Sequence, residues 1–169
     1  MDIDSEQARK RELVDWLDSQ RQHVMEQMRA MPAAARRRSQ VPSGWTARGL
    51  VRHLTLDVER VWFRAVMAGE DVDLPEGYEG WTAPDEQSDD DLLEQYAAEC
   101  RLATAAIDQL SLDAAPAWWF EGAGDPPYTS LREVMVHVIV ETATHAGHLD
   151  ICRELVDGGR HLVLDEPTT

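Results

Sequence analysis

The stretch that most constrains this chain is Ser130–Gly158, SLREVMVHVIVETATHAGHLDICRELVDG. Ser130 and Glu133 have the spacing of a capping box, in which the hydroxyl takes an orphan N–H and the acid reaches back. Gly158 and Gly159 provide a residue able to take the left-handed conformation that ends a helix. With no proline and one internal glycine, Gly147, the stretch reads as a single helix of about seven to eight turns at ~3.6 residues per turn. His137, Glu141, His145 and His148 fall at about −40°, 0°, +40° and −20° around it, at roughly 100° per residue. They share one face with the stripes of Leu131, Met135, Val138, Leu149 and Cys152, so that face is expected to meet the core. A carboxylate and several imidazoles among apolar groups are costly unless they are paired or bound to a metal.

The rest of the chain supplies partners for that helix. Residues 5–31 carry Trp16, Leu17, Val24, Met28 and Met31 at helical intervals, and the residue before Pro32 is pushed out of the helical region. A loop over 33–44 holds the basic triplet Arg36-Arg37-Arg38, read as a solvated turn. A second helix opens at Thr46, a good N-cap, and stops at Gly69. Its Leu50, His53, Leu54, Asp57, Val61, Ala65 and Ala68 follow the spacing of a buried stripe. Residues 70–87 form a long connection with Tyr78 and Trp81, either a cover for a pocket or surface anchors. A third helix starts at Ser88, followed by three acids that suit a helix N-terminus. It runs to about Leu110, with Leu92, Leu93, Tyr96, Cys100, Ala103 and Ile107 on its apolar side. A second long connection, 113–129, leads into the last helix, and the tail after Gly159 is expected to be loosely ordered. No strand pattern or internal repeat competes with this reading. The expected fold is all-α, a four-helix bundle over 1–169 as a single domain, with long loops between helices 2 and 3 and between helices 3 and 4.

The charge balance narrows the partners. Sixteen basic residues against 32 acidic ones give a net charge of −16. Nucleic acid is therefore an unsuitable partner, because binding it depends on neutralising phosphates with Lys and Arg. No apolar run reaches the ~18–20 residues of a membrane span, and the polar N-terminus is no signal peptide. A cytoplasmic protein is expected, with Cys100 and Cys152 as buried reduced thiols. His23 is read as solvent-facing, with no role.

Bundle cores build metal sites from side chains on facing helices. Glu141 and His145, four apart, can reach one ion, and His53 of the second helix completes a three-ligand set. Two nitrogens and one oxygen with open positions suit a catalytic zinc site, although Ni²⁺, Co²⁺ or Fe²⁺ fit the same donors. The bland reading stands beside this one: a core histidine is commonly hydrogen-bonded, and Glu and His at i, i+4 also form ordinary ion pairs. His148 is a ligand, a supporting group or an acid–base residue, and His137 a supporting or structural one.

Two stretches carry a resemblance. WTARGLVRHLTLDVERVWF, followed about eighty residues later by ETATHAGHLDICRELVDG, is similar to the DinB-like superfamily of four-helix metalloproteins, and to its actinobacterial branch most of all. The resemblance implies His53, Glu141 and His145 as metal ligands, with Glu141 where many members have histidine. It places His148 as a catalytic or substrate-contacting group where the wider family often has glutamine. It implies a metal-dependent thiol S-transferase using mycothiol or a similar low-molecular-weight thiol, acting on an electrophilic small molecule, as in detoxification. In such a site Asp57 would orient His53 or act as a base, and a homodimer is common. Two alternatives remain. One is a thiol-dependent isomerase of maleylpyruvate type, against which the short segment after the last helix counts. The other is a non-catalytic metal-binding or stress-response bundle.

Overall fold

The structure is a computed structural model that describes residues 3–161. Helix α1, Ile3–Ala30, ends just before Met31-Pro32, and a short α2, Ala33–Arg36, follows inside the segment expected to be loop. Helix α3, Ala47–His53, runs directly into a wider helix, π1, Leu54–Met67. Helices α4, Asp89–Gln109, and α5, Leu131–Asp157, complete the set. The described residues contain no strand. Helix α1 lies along α5, and π1 packs on both α4 and α5, so the second and last helices face each other. The expected tail reading lies outside the described residues beyond His161.

Polar side chains set the helix ends. Thr46 accepts from the Gly49 N–H at 3.0 Å, and Ser88 from the Asp91 N–H at 3.0 Å. Ser130 accepts from the Glu133 N–H at 3.3 Å. The return arm of this box lands one residue early, because the Glu133 carboxylate takes the Thr129 N–H at 2.7 Å and its hydroxyl at 3.0 Å. Buried Lys10 closes the far end of α4 by donating to the carbonyls of Ile107, at 3.3 Å, and Leu110. A cation there meets the carbonyls that a helix C-terminus leaves unpaired.

Three expectations need correction. The second helix does not keep an α period. From Leu54 its turns are widened to i→i+5, and the Ala68 N–H still donates to Phe63 O at 3.0 Å. Each widened turn delays the next side chain, so an α count drifts off the core face. Val61 and Ala68 are only half-buried, while Leu56, Val58, Glu59, Phe63, Val66 and Met67 are buried. Trp16, expected in the apolar stripe of α1, is 59% exposed. The basic triplet is no free turn: Arg36 bonds Asp89 at 2.8 Å and Met31 O at 2.7 Å, and Arg37 bonds Asp85 O at 3.0 Å. Arg48 adds a second guanidinium to Asp89. Burial of Asp89 opposes its charge, but the bonds from Arg36 and Arg48 outweigh it and hold the carboxyl below its ordinary pKa. This fastens the start of α4 to α2 and to the first turn of α3.

The expected apolar side of α4 is buried throughout, as are Leu131, Met135, Val138, Leu149 and Cys152 of α5. Cys100 and Cys152 are free thiols. Burial pushes both pKa values up, with the Glu59 charge adding to the effect at Cys100. They are packing groups rather than nucleophiles.

Candidate metal centre

The last residue of α3 and the middle of α5 meet in one place. His53, Glu141 and His145 each present a donor atom, and the three donors lie within 4.8 Å of one another. Glu141 Oε1 is 3.2 Å from His145 Nε2 and 3.6 Å from His53 Nε2. Donors about 2.0–2.2 Å from a common tetrahedral ion are roughly 3.3–3.6 Å apart, so these separations suit a shared cation.

The second nitrogen of each imidazole is engaged elsewhere. His53 Nδ1 is 2.7 Å from Asp57 Oδ2, one turn on along the wide helix. His145 Nδ1 is 3.3 Å from His148 Nδ1. That leaves the two Nε2 atoms turned toward Glu141. His53 Nε2 is buried and has no hydrogen-bond partner. A native interior rarely leaves a buried polar atom unpaired, and a cation would resolve it. Burial of His145 lowers its pKa, the neighbouring His53 lowers it further, and Glu141 offsets part of this. The imidazole is thus kept neutral, the form that binds metals. The donor set fits zinc or a similar divalent ion.

The connection after π1 folds back over this cluster. A tight turn, Glu79–Trp81, stacks the Trp81 indole on the His53 ring at 4.1 Å between centroids and 15° between planes. Trp81 also meets His145 edge-on at 5.6 Å. Two glycines let the turn seat, Gly80 within it and Gly49 in α3. A Cβ on Gly80 would lie 1.9 Å from Asp57 Oδ2, and one on Gly49 would lie 2.3 Å from Trp81 O. Arg52 Nε donates to Glu79 O at 2.9 Å. Of the two aromatics noted in this segment, Trp81 covers the site and Tyr78 is 84% exposed. A cavity of about 400 Å³ opens beside them, lined by Ser43, Gly44, Trp45, Tyr78, Trp81 and Thr82. Trp45 approaches His148 at 5.9 Å between ring centroids.

The structure therefore brings together His53, Glu141 and His145, sets Asp57 behind His53 and His148 behind His145, and leaves His137 apart. His137 stacks on Tyr128 at 4.8 Å and meets Trp62 edge-on at 4.8 Å. Burial lowers its pKa. Sequence reasoning gave no role to Trp45, Gly49 or Gly80. Their only signal is a close approach across segments, which a linear pattern does not carry.

The chain is an all-helical bundle of the DinB-like kind, and its facing helices bring His53, Glu141 and His145 together. The family description "mycothiol-S-transferase" matches residues 12–158, and the chain belongs to that family. No curated protein and no solved structure matches it significantly. No described helix is long and apolar enough to cross a membrane.

Proposed function

We propose that this chain is a metal-dependent thiol S-transferase that conjugates mycothiol, or a similar low-molecular-weight thiol, to an electrophilic small molecule in the cytoplasm. The observation that carries the reading is the buried, unpartnered His53 Nε2 facing Glu141 and His145. These three residues would hold the cation. When bound, it would lower the pKa of a thiol in an open position, and the thiolate is the effective nucleophile.

The chain supplies the remaining parts. Asp57 and His148 hold the two imidazoles through their second nitrogens, the role such neighbours play in metal sites. In the transfer a sulfur–carbon bond forms and the electrophile's leaving group departs with its bonding pair. The thiol proton passes to a base, and Asp57 and His148, the titratable neighbours of the two imidazole ligands, are the residues proposed for it. Trp45, Trp81 and Tyr78 offer aromatic walls to an electrophile in the adjacent cavity, whose volume lies in the range of small-molecule sites.

The test is elemental analysis of tag-free protein together with conjugation of mycothiol to a chlorinated aromatic acceptor. His145→Ala is expected to lose one equivalent of metal and the conjugation together. Metal uptake without conjugation of any thiol would leave a metal-binding bundle and overturn the transferase reading. Conjugation that survived in His145→Ala would overturn the role of the metal.

A further inference from the structure

The half of the last-helix motif that follows His148 is not used by the site above. Asp150 lies five residues beyond His145, about 140° further around α5 and roughly 7–8 Å along it. It faces α1 instead of α3, and its Oδ1 is 2.7 Å from His23 Nε2. His23, expected to face solvent with no role, is partly buried in this contact. A second imidazole reaches the same point from beyond the helix: His161 lies over His23 with ring centroids 3.8 Å apart and planes 40° apart. Donor atoms of His23, Asp150 and His161 all fall within 4.8 Å of one another.

The approach of His161 is determined by a specific chain reversal. Gly158 takes φ 70°, the left-handed region, and ends α5. The Gly159 N–H donates to Asp157 Oδ1 at 2.8 Å. A Cβ on Gly159 would fall 2.0 Å from Arg153 Nη2, so glycine lets the backbone lie against that guanidinium without displacing it. Arg153 donates to Gln27 of α1 at 3.1 Å and lies 3.6 Å from the Asp157 carboxylate. Its charge is thus countered within the turn. Two glycines and an arginine direct the chain back so that His161 lands on α1.

We propose that His23, Asp150 and His161 form a second divalent-metal site, which fastens the end of α5 to α1. Three donors come from three separate segments, and two imidazoles with one carboxylate are a set that borderline transition ions such as Zn²⁺, Ni²⁺ or Co²⁺ accept. A shared divalent ion satisfies all three groups with both rings neutral. This site lies on a different face of α5 from the His53 cluster and does not depend on the transferase reading.

Titrating metal-free full-length protein with Co²⁺, followed by visible absorption and equilibrium dialysis, tests the proposal. The wild type is expected to take up two equivalents, and His161→Ala and His145→Ala one each. Combining the two changes leaves none. Asp150→Asn retains the shape of the side chain and is expected to weaken the second equivalent by about tenfold or more. His161 lies outside the bundle helices, so its replacement spares the fold, and circular dichroism of each variant checks this. If His161→Ala binds as many equivalents as the wild type, the second site does not exist. If His145→Ala binds no cobalt, the second site again fails while the first stands. A single wild-type equivalent that survives His145→Ala but vanishes in His161→Ala overturns the first site and keeps the second.

Discussion

Two of the polar clusters between helices, one fully buried and one partly exposed, differ in how their charged groups are matched. Between α1 and π1, Arg21 meets Glu59 through both ends: Nε to Oε1 at 2.7 Å and Nη2 to Oε2 at 2.6 Å. The remaining Nη1 donates to Asp18 at 2.7 Å and to Thr104 at 2.9 Å, and the Cys100 thiol adds a long contact to Glu59 at 3.7 Å. Burial works against the Arg21 charge, but Glu59, with smaller contributions from Cys100 and Asp18, outweighs it and raises the pKa. Between α3 and α5, the His53 cluster leaves an acceptor or donor facing inward with no partner. A closed network holds helices in register. The His53 cluster is shallower, its Glu141 side chain 34% exposed, and so stays open to a cation that would complete it.

The largest expected effect tests the closed cluster. Glu59→Ala leaves a buried guanidinium without its main partner and is expected to destabilise the protein by about 3–5 kcal/mol, read from urea unfolding. Replacing both residues by apolar side chains of similar size should recover most of that loss, since matched buried pairs are often replaceable at little net cost. A loss under about 1 kcal/mol in the single variant would mean the pair is not the closed unit described here.

The open cluster should respond in the opposite manner. His53→Ala is expected to leave helicity and unfolding close to wild type while metal affinity falls by more than about 100-fold, since even residues that support ligands are worth about 10–100-fold. Unfolding of the apo variant beside undiminished metal uptake would reverse the assignment. Smaller again, Asp57→Asn and His148→Gln are expected to lower metal affinity or conjugation by about 10–100-fold without removing the site. An effect of Asp57→Asn equal to that of His53→Ala would make Asp57 a ligand instead of a positioning residue.

The smallest expected effect is pH dependence, and it separates the clusters most cleanly. The pKa values of His145 and His137 are lowered in the fold, chiefly by burial, whereas an unfolded histidine titrates at about 6.5. Below that value the unfolded chain takes up protons that the fold resists. Their contribution to stability is therefore complete above about pH 6.5 and is lost as pH falls through the lowered folded values. Metal-free protein is expected to show a lower urea midpoint at pH 5.5 than at pH 7.5, and His145→Ala should flatten that slope. Arg21 stays charged throughout this range and contributes nothing to the slope. A midpoint that rose on acidification would contradict the buried, neutral state of these rings.

Much of the bundle could be read along the chain, because the signals are local. Thr46, Ser88 and Ser130 mark three helix starts, and Pro32 and Gly158 mark two ends, through backbone hydrogen bonding and dihedral preference alone. The same 3.6-residue period placed Glu141 and His145 on one face of α5, so two of the three candidate ligands were legible from one element. The reading failed where the period itself changed. Along π1 the wider turns carried Glu59 into the core and moved Val61 and Ala68 toward its edge, and the widening left no composition signal. It failed also for Trp16, whose helical spacing said nothing of whether another helix covers it.

The sequence by itself determined the positions of the four long helices, the apolar faces of α4 and α5, and the chemical types on the inward side of the last helix. Those follow from interactions within a few residues of each other. The tertiary structure decided which nitrogen of each histidine is held and which is left over. It also decided that Gly80 and Gly49 admit the Trp81 turn onto His53, and that His23 and His161 meet at Asp150. Each of these depends on a close approach between segments far apart in the chain, set by how side chains of the whole bundle pack against one another.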